Sequence, residues 1–135
     1  MSVESALASG RAFHLARMTD LWEIGVPTGA RTYDPTEQVE VEVLDPLFAA
    51  PGYLAATSRA VSEVEVGGRT SHVEQQELRI PWDSPEVPAN AVATCVEVGP
   101  SSPERLLGRR LRVSGSMGDG SQRTCYRLHV EEVLS

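Results

Sequence analysis

Hydrophobic and polar positions alternate along most of the chain, and this pattern predicts β-strands. The strictest run is residues 39–43, where three valines alternate with two glutamates and share one face. Residues 21–26 follow the same rule and place Trp22, Ile24 and Val26 on one face. Such alternation indicates a sheet with one face in a core and the other facing water or a wet lumen.

Proline and glycine interrupt this pattern in two places. Pro27 predicts the end of the first strand, and residues 27–38 predict a long turn, so that the first two strands form a hairpin with a long tip. Residues 44–60 contain two prolines and a glycine among apolar side chains. We expect an irregular loop with a short strand there.

The second half of the chain predicts a further hairpin and three more strands. Residues 61–66 and 70–80 form the hairpin, with Gly67-Gly68 as its tight turn. The glycine-rich residues 118–121 predict another hairpin turn, because they connect two strands. The three remaining strands are predicted at residues 91–98, 109–114 and 123–133.

The first twenty residues predict an α-helix. Ser2 is positioned to cap it, and Glu4 lies favourably in its first turn. An isolated helix of this length has marginal stability in water. Its narrow apolar stripe must therefore dock on its own barrel or on a neighbouring subunit. The narrow stripe consists of Val3, Ala6, Leu7, Gly10, Phe13 and Arg17.

Together these elements predict a mainly β protein. We expect an antiparallel β-barrel or sandwich of about seven short strands with an N-terminal α-helix. The helix occupies residues 1–20, and residues 21–135 form a single β-barrel domain. Aromatic residues are only 5% of the sequence, so the core must consist mainly of valine, leucine and alanine.

Charge is distributed unevenly along the chain. The formal net charge is -7, which on average repels a polyanion. Every basic residue is arginine, and six of the twelve lie within residues 105–127, where Asp119 is the only acid. An acidic first half and a basic strip suit contacts between copies or with a partner, although two solvated faces of a monomer explain them equally well.

The sequence offers no pattern for catalysis or cofactor binding. It has no G-x-S-x-G elbow, no lysine for a phosphate-binding loop and no histidine pair at metal-ligand spacing. Cys95 and Cys125 are expected to be small buried hydrophobic residues of a protein in a reducing compartment. We therefore expect no enzyme, no catalytic residue, no cofactor and no metal. No run of residues reaches the length of a membrane span, and the N-terminus lacks a signal-peptide pattern.

Four segments in this order resemble a known family, the small head-to-tail connector, or stopper, proteins of long-tailed actinobacterial phages. Gly10-Arg11 in the first helix and Leu107-Gly108-Arg109 before a late strand are part of the similarity. The four segments are ALASGRAFHLARMTD, VGGRTSHVEQQELRIPWDSPEVPANAVAT, LLGRRLRVSG and RTCYRLHVEEV.

The resemblance implies a structural virion protein without enzymatic activity. Its copies would form a ring of six or twelve between the portal or adaptor proteins and the tail proteins, retaining double-stranded DNA in the channel without reading its sequence. The protein would be made in the host cytoplasm and reside at the head-tail interface of the virion. Residues 27–38 and 44–60 are the candidate channel loops, with Asp34, Phe48 and Tyr53 as candidate residues. The interface candidates are Phe13, Arg17, Arg105, Arg109, Arg110 and Arg112.

Two other functions remain open at this point. A small β-barrel that binds nucleic acid would need exposed aromatic residues between basic ones, and the basic strip offers only Tyr126. A neighbouring connector component, such as an adaptor or a tail terminator, would have the same physical character as a stopper.

Overall fold

The structure is a computed structural model of the chain. It describes the backbone of residues 2–36, 38–66, 69–117 and 123–132. Side chains are described for the same residues except 56–75, 116–117 and 132. The predicted turns at residues 67–68 and 118–121 lie outside the described residues.

The described strands form one closed antiparallel barrel, which is one of the two arrangements, barrel or sandwich, that the sequence predicts. Six strands follow each other around it in the order β1, β2, β3, β6, β5, β4, and β4 pairs with β1 to close it. The described part of the chain contains six strands where the sequence predicted about seven, because three predicted segments merge into β2. Their bounds are Asp20–Asp34 (β1), Val39–Val66 (β2), Arg69–Ile80 (β3), Val92–Glu97 (β4), Arg110–Met117 (β5) and Tyr126–Glu132 (β6).

The barrel interior is filled by inward-facing side chains from all six strands. Trp22 and Ile24 are fully buried, as the alternation in residues 21–26 predicted, and Val26 is half-buried. Closure leaves few strand edges, which is how small all-β proteins avoid edge-to-edge association. The largest fully buried side chains are Trp22, Tyr126, Ile24, Leu78, Ile80, Leu111, Leu128, Val92, Val113, Val130 and Cys95.

The prediction that Pro27 ends the first strand and that residues 27–38 form a long turn is wrong. β1 continues to Asp34 and pairs with β2 across irregularities beside Pro27, so strand pairing reaches as far as Asp34 and Val39. A proline is tolerated here because β4 pairs with β1 only as far as Gly25. Pro27 therefore lies where β1 has become an edge strand, and its missing N–H removes no bond to a third strand.

The prediction of an irregular loop at residues 44–60 is also wrong, because β2 runs through the whole segment. It pairs with β1 up to Gly52 and with β3 on its other side from Tyr53 onward. Its first half is consequently an edge strand, which tolerates proline. Pro46 lies beside a register shift, and Pro51 lies within the pairing of β2 with β1.

The two strands extend beyond the barrel as a two-stranded ribbon, residues 26–47. Past Gly25 the described pairings of β1 are with β2 alone. Tyr33 is 60% exposed, and Val43 and Leu47 are exposed as well. The three valines of residues 39–43 therefore share a face as predicted, but that face lies outside the barrel core.

The predicted N-terminal helix is present as α1, Val3–Arg17, and the Ser2 side chain accepts a hydrogen bond from the Ser5 N–H at its start. The docked face differs from the predicted stripe. Leu7, Gly10, Arg11 and His14 are half-buried, and no helix residue is fully buried.

Part of the predicted stripe therefore remains exposed. Val3 is 62% exposed, Phe13 57%, and Arg17 is exposed as well. The helix is rotated away from that stripe because polar side chains, rather than an apolar seam, attach it to the barrel.

Because Leu128 is fully buried in the barrel, Leu128→Ala should lower the free energy of unfolding by about 2 to 5 kcal/mol. Leu107→Ala removes the same atoms from a side chain that is 55% exposed and should change it by less than about 0.5 kcal/mol. Urea unfolding of both variants measures the difference. Equal losses would contradict the barrel core described here.

Candidate interaction surface

A polar cluster joins the helix to the outer face of the barrel; we refer to it as the junction cluster, residues His14, Arg17, Tyr53, Glu77 and Arg79. The Tyr53 hydroxyl lies 2.7 Å from His14 Nδ1 and accepts a hydrogen bond from Arg79 Nη1 at 3.1 Å. The Arg79 guanidinium also donates to Glu77 Oε2 from Nε and Nη2, at 3.3 and 3.2 Å. The buried Glu77 carboxylate is thereby paired.

The junction cluster carries excess positive charge around a histidine. Burial lowers the pKa of His14 below its ordinary value, and the charges of Arg79, Arg127 and Arg17 lower it further. The neutral imidazole is favoured, which suits a ring stacked on Tyr53 and hydrogen-bonded to its hydroxyl.

A second set of contacts holds the middle of the helix. The Arg11 guanidinium lies 3.6 Å from the centroid of the Trp82 ring, and its Nε donates to the Arg123 carbonyl at 3.3 Å. A Cβ at Gly10 would lie 2.7 Å from Thr124 Cγ2, so glycine is what permits this close approach. The helix is thus held at two points by side chains that the apolar pattern could not identify.

A groove runs between the helix end, β2 and the loop before the short 3-10 helix, Glu104–Leu106; we call it the edge groove. It consists of two adjoining cavities of about 370 and 280 Å³ that share Tyr53, Leu54, Ser101 and Ser102. β1 stops pairing with β2 at Gly52, so the backbone of β2 enters the groove as a strand edge.

One wall of the edge groove is fixed by a buried carboxylate. Asp20 accepts hydrogen bonds from the Gly99 N–H and the Ser102 hydroxyl, both at 2.7 Å. Asp20 is 2% exposed, so this carboxylate stabilises the loop at residues 99–102 rather than contributing surface charge.

Three of the predicted interface residues line the edge groove. Arg17 borders one cavity, and Arg105 and Arg109 border the other. The Arg17 guanidinium lies 5.2 Å from the Tyr53 ring centroid and 5.4 Å from that of Phe13. Arg105 is exposed, whereas Arg109 is half-buried. The structure therefore brings Arg17, Arg105 and Arg109 around one groove, with Phe13 beside it.

Arg110 and Arg112 serve a different purpose, because both contact Glu42 in the ribbon of the same chain. Arg110 Nη1 donates to the Glu42 carbonyl at 2.8 Å, and Arg112 Nη2 lies 3.2 and 3.3 Å from its two carboxylate oxygens. Arg31 is at 4.0 Å from the same carboxylate. Arg110 and Arg112, which are half-buried, hold the ribbon against β5.

The three candidate channel residues have different positions. Asp34 lies at the ribbon tip, where its carboxylate accepts a hydrogen bond from the Thr36 N–H at 2.9 Å. Phe48 and Tyr53 do not lie on a loop: both are in β2, Phe48 packs against the main core, and Tyr53 is buried in a small cluster with Met18 and Cys125. The strand at residues 44–60 explains this correction.

The cysteines are buried and free, as expected for small hydrophobic residues. Burial raises the pKa of the Cys95 thiol, and nearby Asp20 raises it further, so the reactive thiolate is disfavoured. Among the described residues, no group of three or more His, Cys, Asp or Glu side chains is arranged to hold a metal ion.

Sequence reasoning missed most of the polar side chains that shape this surface. The sequence predicts no contact role for His14, Asp20, Glu42, Arg79 or Trp82, since their partners are distant in the chain. One local signal exists for Asp20, an acid directly before the predicted strand at residues 21–26.

Comparison with known proteins finds one family. A model described as a family of unknown function (DUF6093) matches residues 10–131. No curated protein and no solved structure matches the chain significantly. In the described residues, no helix has the length and apolar character needed to cross a membrane.

The lowered pKa of His14 predicts a pH-dependent stability. Because the unfolded chain binds this proton more readily, the free energy of unfolding should fall as the pH decreases from about 6.5 toward the lowered pKa of the folded state. His14→Gln should remove this dependence, whereas Ser9→Gln on the exposed side of the helix should keep it. Urea unfolding between about pH 7.5 and about pH 5.5 tests the point. Identical profiles for wild type and His14→Gln would refute it.

The contact between Arg112 and Glu42 predicts local protection of the ribbon. Arg112→Gln should speed hydrogen exchange of backbone amides in residues 31–42 several-fold, because one of the ties to β5 is lost. Arg105→Gln makes the same chemical change at an exposed site away from Glu42. Mass spectrometry should detect faster exchange in the first variant only, and unchanged exchange there would show that this ion pair does not hold the ribbon.

Proposed function

We propose that this chain, which belongs to the family of unknown function DUF6093, is a structural subunit of a phage head-to-tail connector. In this role its copies form a ring, a stopper, that joins the head to the tail and retains packaged DNA. The order of segments similar to stopper proteins motivates the proposal, and the surface of the barrel supports it.

The observation that carries the proposal is where the exposed apolar side chains lie. Of the seven large hydrophobic residues that are exposed in the described part of the chain, three are on the helix and three on the ribbon. Exposed apolar groups on elements that surround a closed core are typical of contact surfaces between proteins. They are Val3, Phe13, Leu15, Tyr33, Val43 and Leu47.

The two charged surfaces support a ring rather than a symmetric dimer. The ribbon is acidic, and the edge groove is lined by arginines, so contacts between them would join different surfaces of two copies. Head-to-tail contacts of this kind produce rings when the rotation between neighbours closes.

The overall charge suits a channel through which DNA must pass. With a net charge of -7, each subunit repels the phosphate backbone on average, so DNA in a ring of such subunits does not adhere to the wall. Retention then depends on physical closure by a projecting segment and not on affinity for DNA.

The nucleic-acid-binding alternative finds less support. Tyr126, the aromatic residue of the basic strip, is 1% exposed; its hydroxyl accepts a hydrogen bond from the Val87 N–H and its ring lies under Arg123. It therefore offers no ring face on which a base can stack.

The proposal predicts a defined place in the virus particle. Electron microscopy of particles carrying the tagged protein should find a ring of copies between the portal region and the tail. When the protein is absent, heads should fill with DNA but then lose it and fail to join tails, because the channel lacks its closing ring.

Leu107→Ala is the control for the particles made without the protein, since it alters an exposed side chain outside the helix and the ribbon. Particles of this variant should retain DNA. Normal tail joining and DNA retention without the protein would overturn the proposed function, and a salt-dependent retention of nucleic acid on filters would favour the alternative.

A further inference from the structure

The edge groove contains an open strand edge. From Tyr53 onward β2 pairs with β3 on one side, whereas β1 has ended its pairing at Gly52 on the other. Leu54 borders both cavities of the groove. The edge of β2 at this residue therefore faces the groove without a neighbouring strand. Open edges of this kind accept an additional extended strand through main-chain hydrogen bonds.

The charge of the edge groove selects an acidic occupant. Arg17 and Arg105 line it, as does Arg109, which also has a partner within its own chain. Among the lining residues that the structure describes, the one acid is Asp20, which is buried and hydrogen-bonded within the chain. An extended acidic segment placed there would gain both strand pairing and complementary charge.

The ribbon is an extended acidic segment in this same chain. Residues 26–47 contain five acids and one arginine. Glu40 and Asp45 are exposed, and Tyr33 adds an exposed aromatic ring. Backbone pairing within the ribbon keeps it extended before it meets a partner, which reduces the entropy lost on binding.

A chain cannot place its ribbon in its own edge groove. The groove adjoins Asp20 at the beginning of β1, and the ribbon leaves the barrel after Gly25 at the other end of the paired region, about 17 Å away at the rise of a strand. Arg110 and Arg112 also hold Glu42 to β5. The occupant must therefore come from another molecule.

We infer that the edge groove of one copy receives the acidic ribbon of the next copy, with the ribbon edge pairing along Tyr53–Ala55 of β2. This inference rests on the proposed function, in which copies of the chain associate. It identifies the ribbon and the edge groove as the two surfaces through which they do so. The contact is heterologous, so two joined copies still present one unoccupied ribbon and one unoccupied groove to further neighbours.

Cross-linking between two variants, each with one added cysteine, tests this directly. Thr32→Cys places a thiol on the exposed ribbon, and Ser101→Cys places one in the groove, while Cys95 and Cys125 are buried. Oxidation of an equal mixture at up to millimolar protein should give the mixed disulfide in at least about tenfold excess over either homodimer. Absence of that excess overturns the inference.

Charge reversal provides an independent measurement. Glu40→Arg or Arg105→Glu alone should weaken the mixed cross-link by about tenfold or more, and the two changes placed on opposite partners should restore it. Glu23→Arg reverses an exposed acid on β1 outside the ribbon and should leave the cross-link unchanged. Equal effects of Glu40→Arg and Glu23→Arg would contradict the inference.

The outcomes separate this inference from the proposed function. If copies form a ring in the particle without the mixed cross-link, the inference fails and the connector role stands. If the cross-link forms but the protein is absent from the head-tail junction, the connector role fails and the contact between ribbon and groove stands.

Discussion

Strand β1 pairs with β2 on one side and β4 on the other, and this double pairing closes the barrel. It lasts only from Leu21 to Gly25, yet it determines both ends of the molecule. Beyond Gly25 the unpaired length of β1 becomes one strand of the ribbon. Before Leu21 the chain turns away to the helix, which exposes the edge of β2 at the groove. The ribbon therefore follows from the short length of β4, Val92–Glu97, and the open edge of β2 follows from the start of β1 at Asp20.

Local sequence was sufficient wherever a segment had one buried face. The alternation around Trp22 and Ile24 correctly predicted the core face of β1, and Ser2 correctly marked the start of the helix. The pattern fails at Pro27 and at residues 44–60, because proline ends a strand only where its missing N–H is needed for pairing. An edge strand tolerates proline, and which strand lies at an edge depends on pairings that are distant in sequence.

The side chains of the candidate surface are predicted only in part, for a similar reason. The basic strip was identified from charge alone, and Arg105 and Arg109 do line a groove. Arg110 and Arg112 instead contact Glu42, about 70 residues earlier in the chain, as a consequence of the register between β1 and β2. No spacing in the sequence could separate these two pairs of arginines, since their difference arises from tertiary pairing.

The helix is attached by arginine, histidine and tyrosine side chains, and none of its residues is fully buried. These contacts are directional and lie at the surface, whereas the barrel is stabilised by burial of its apolar interior. Detachment of the N-terminal arm therefore costs less free energy than unfolding of the β framework, since no helix residue has to leave a buried core.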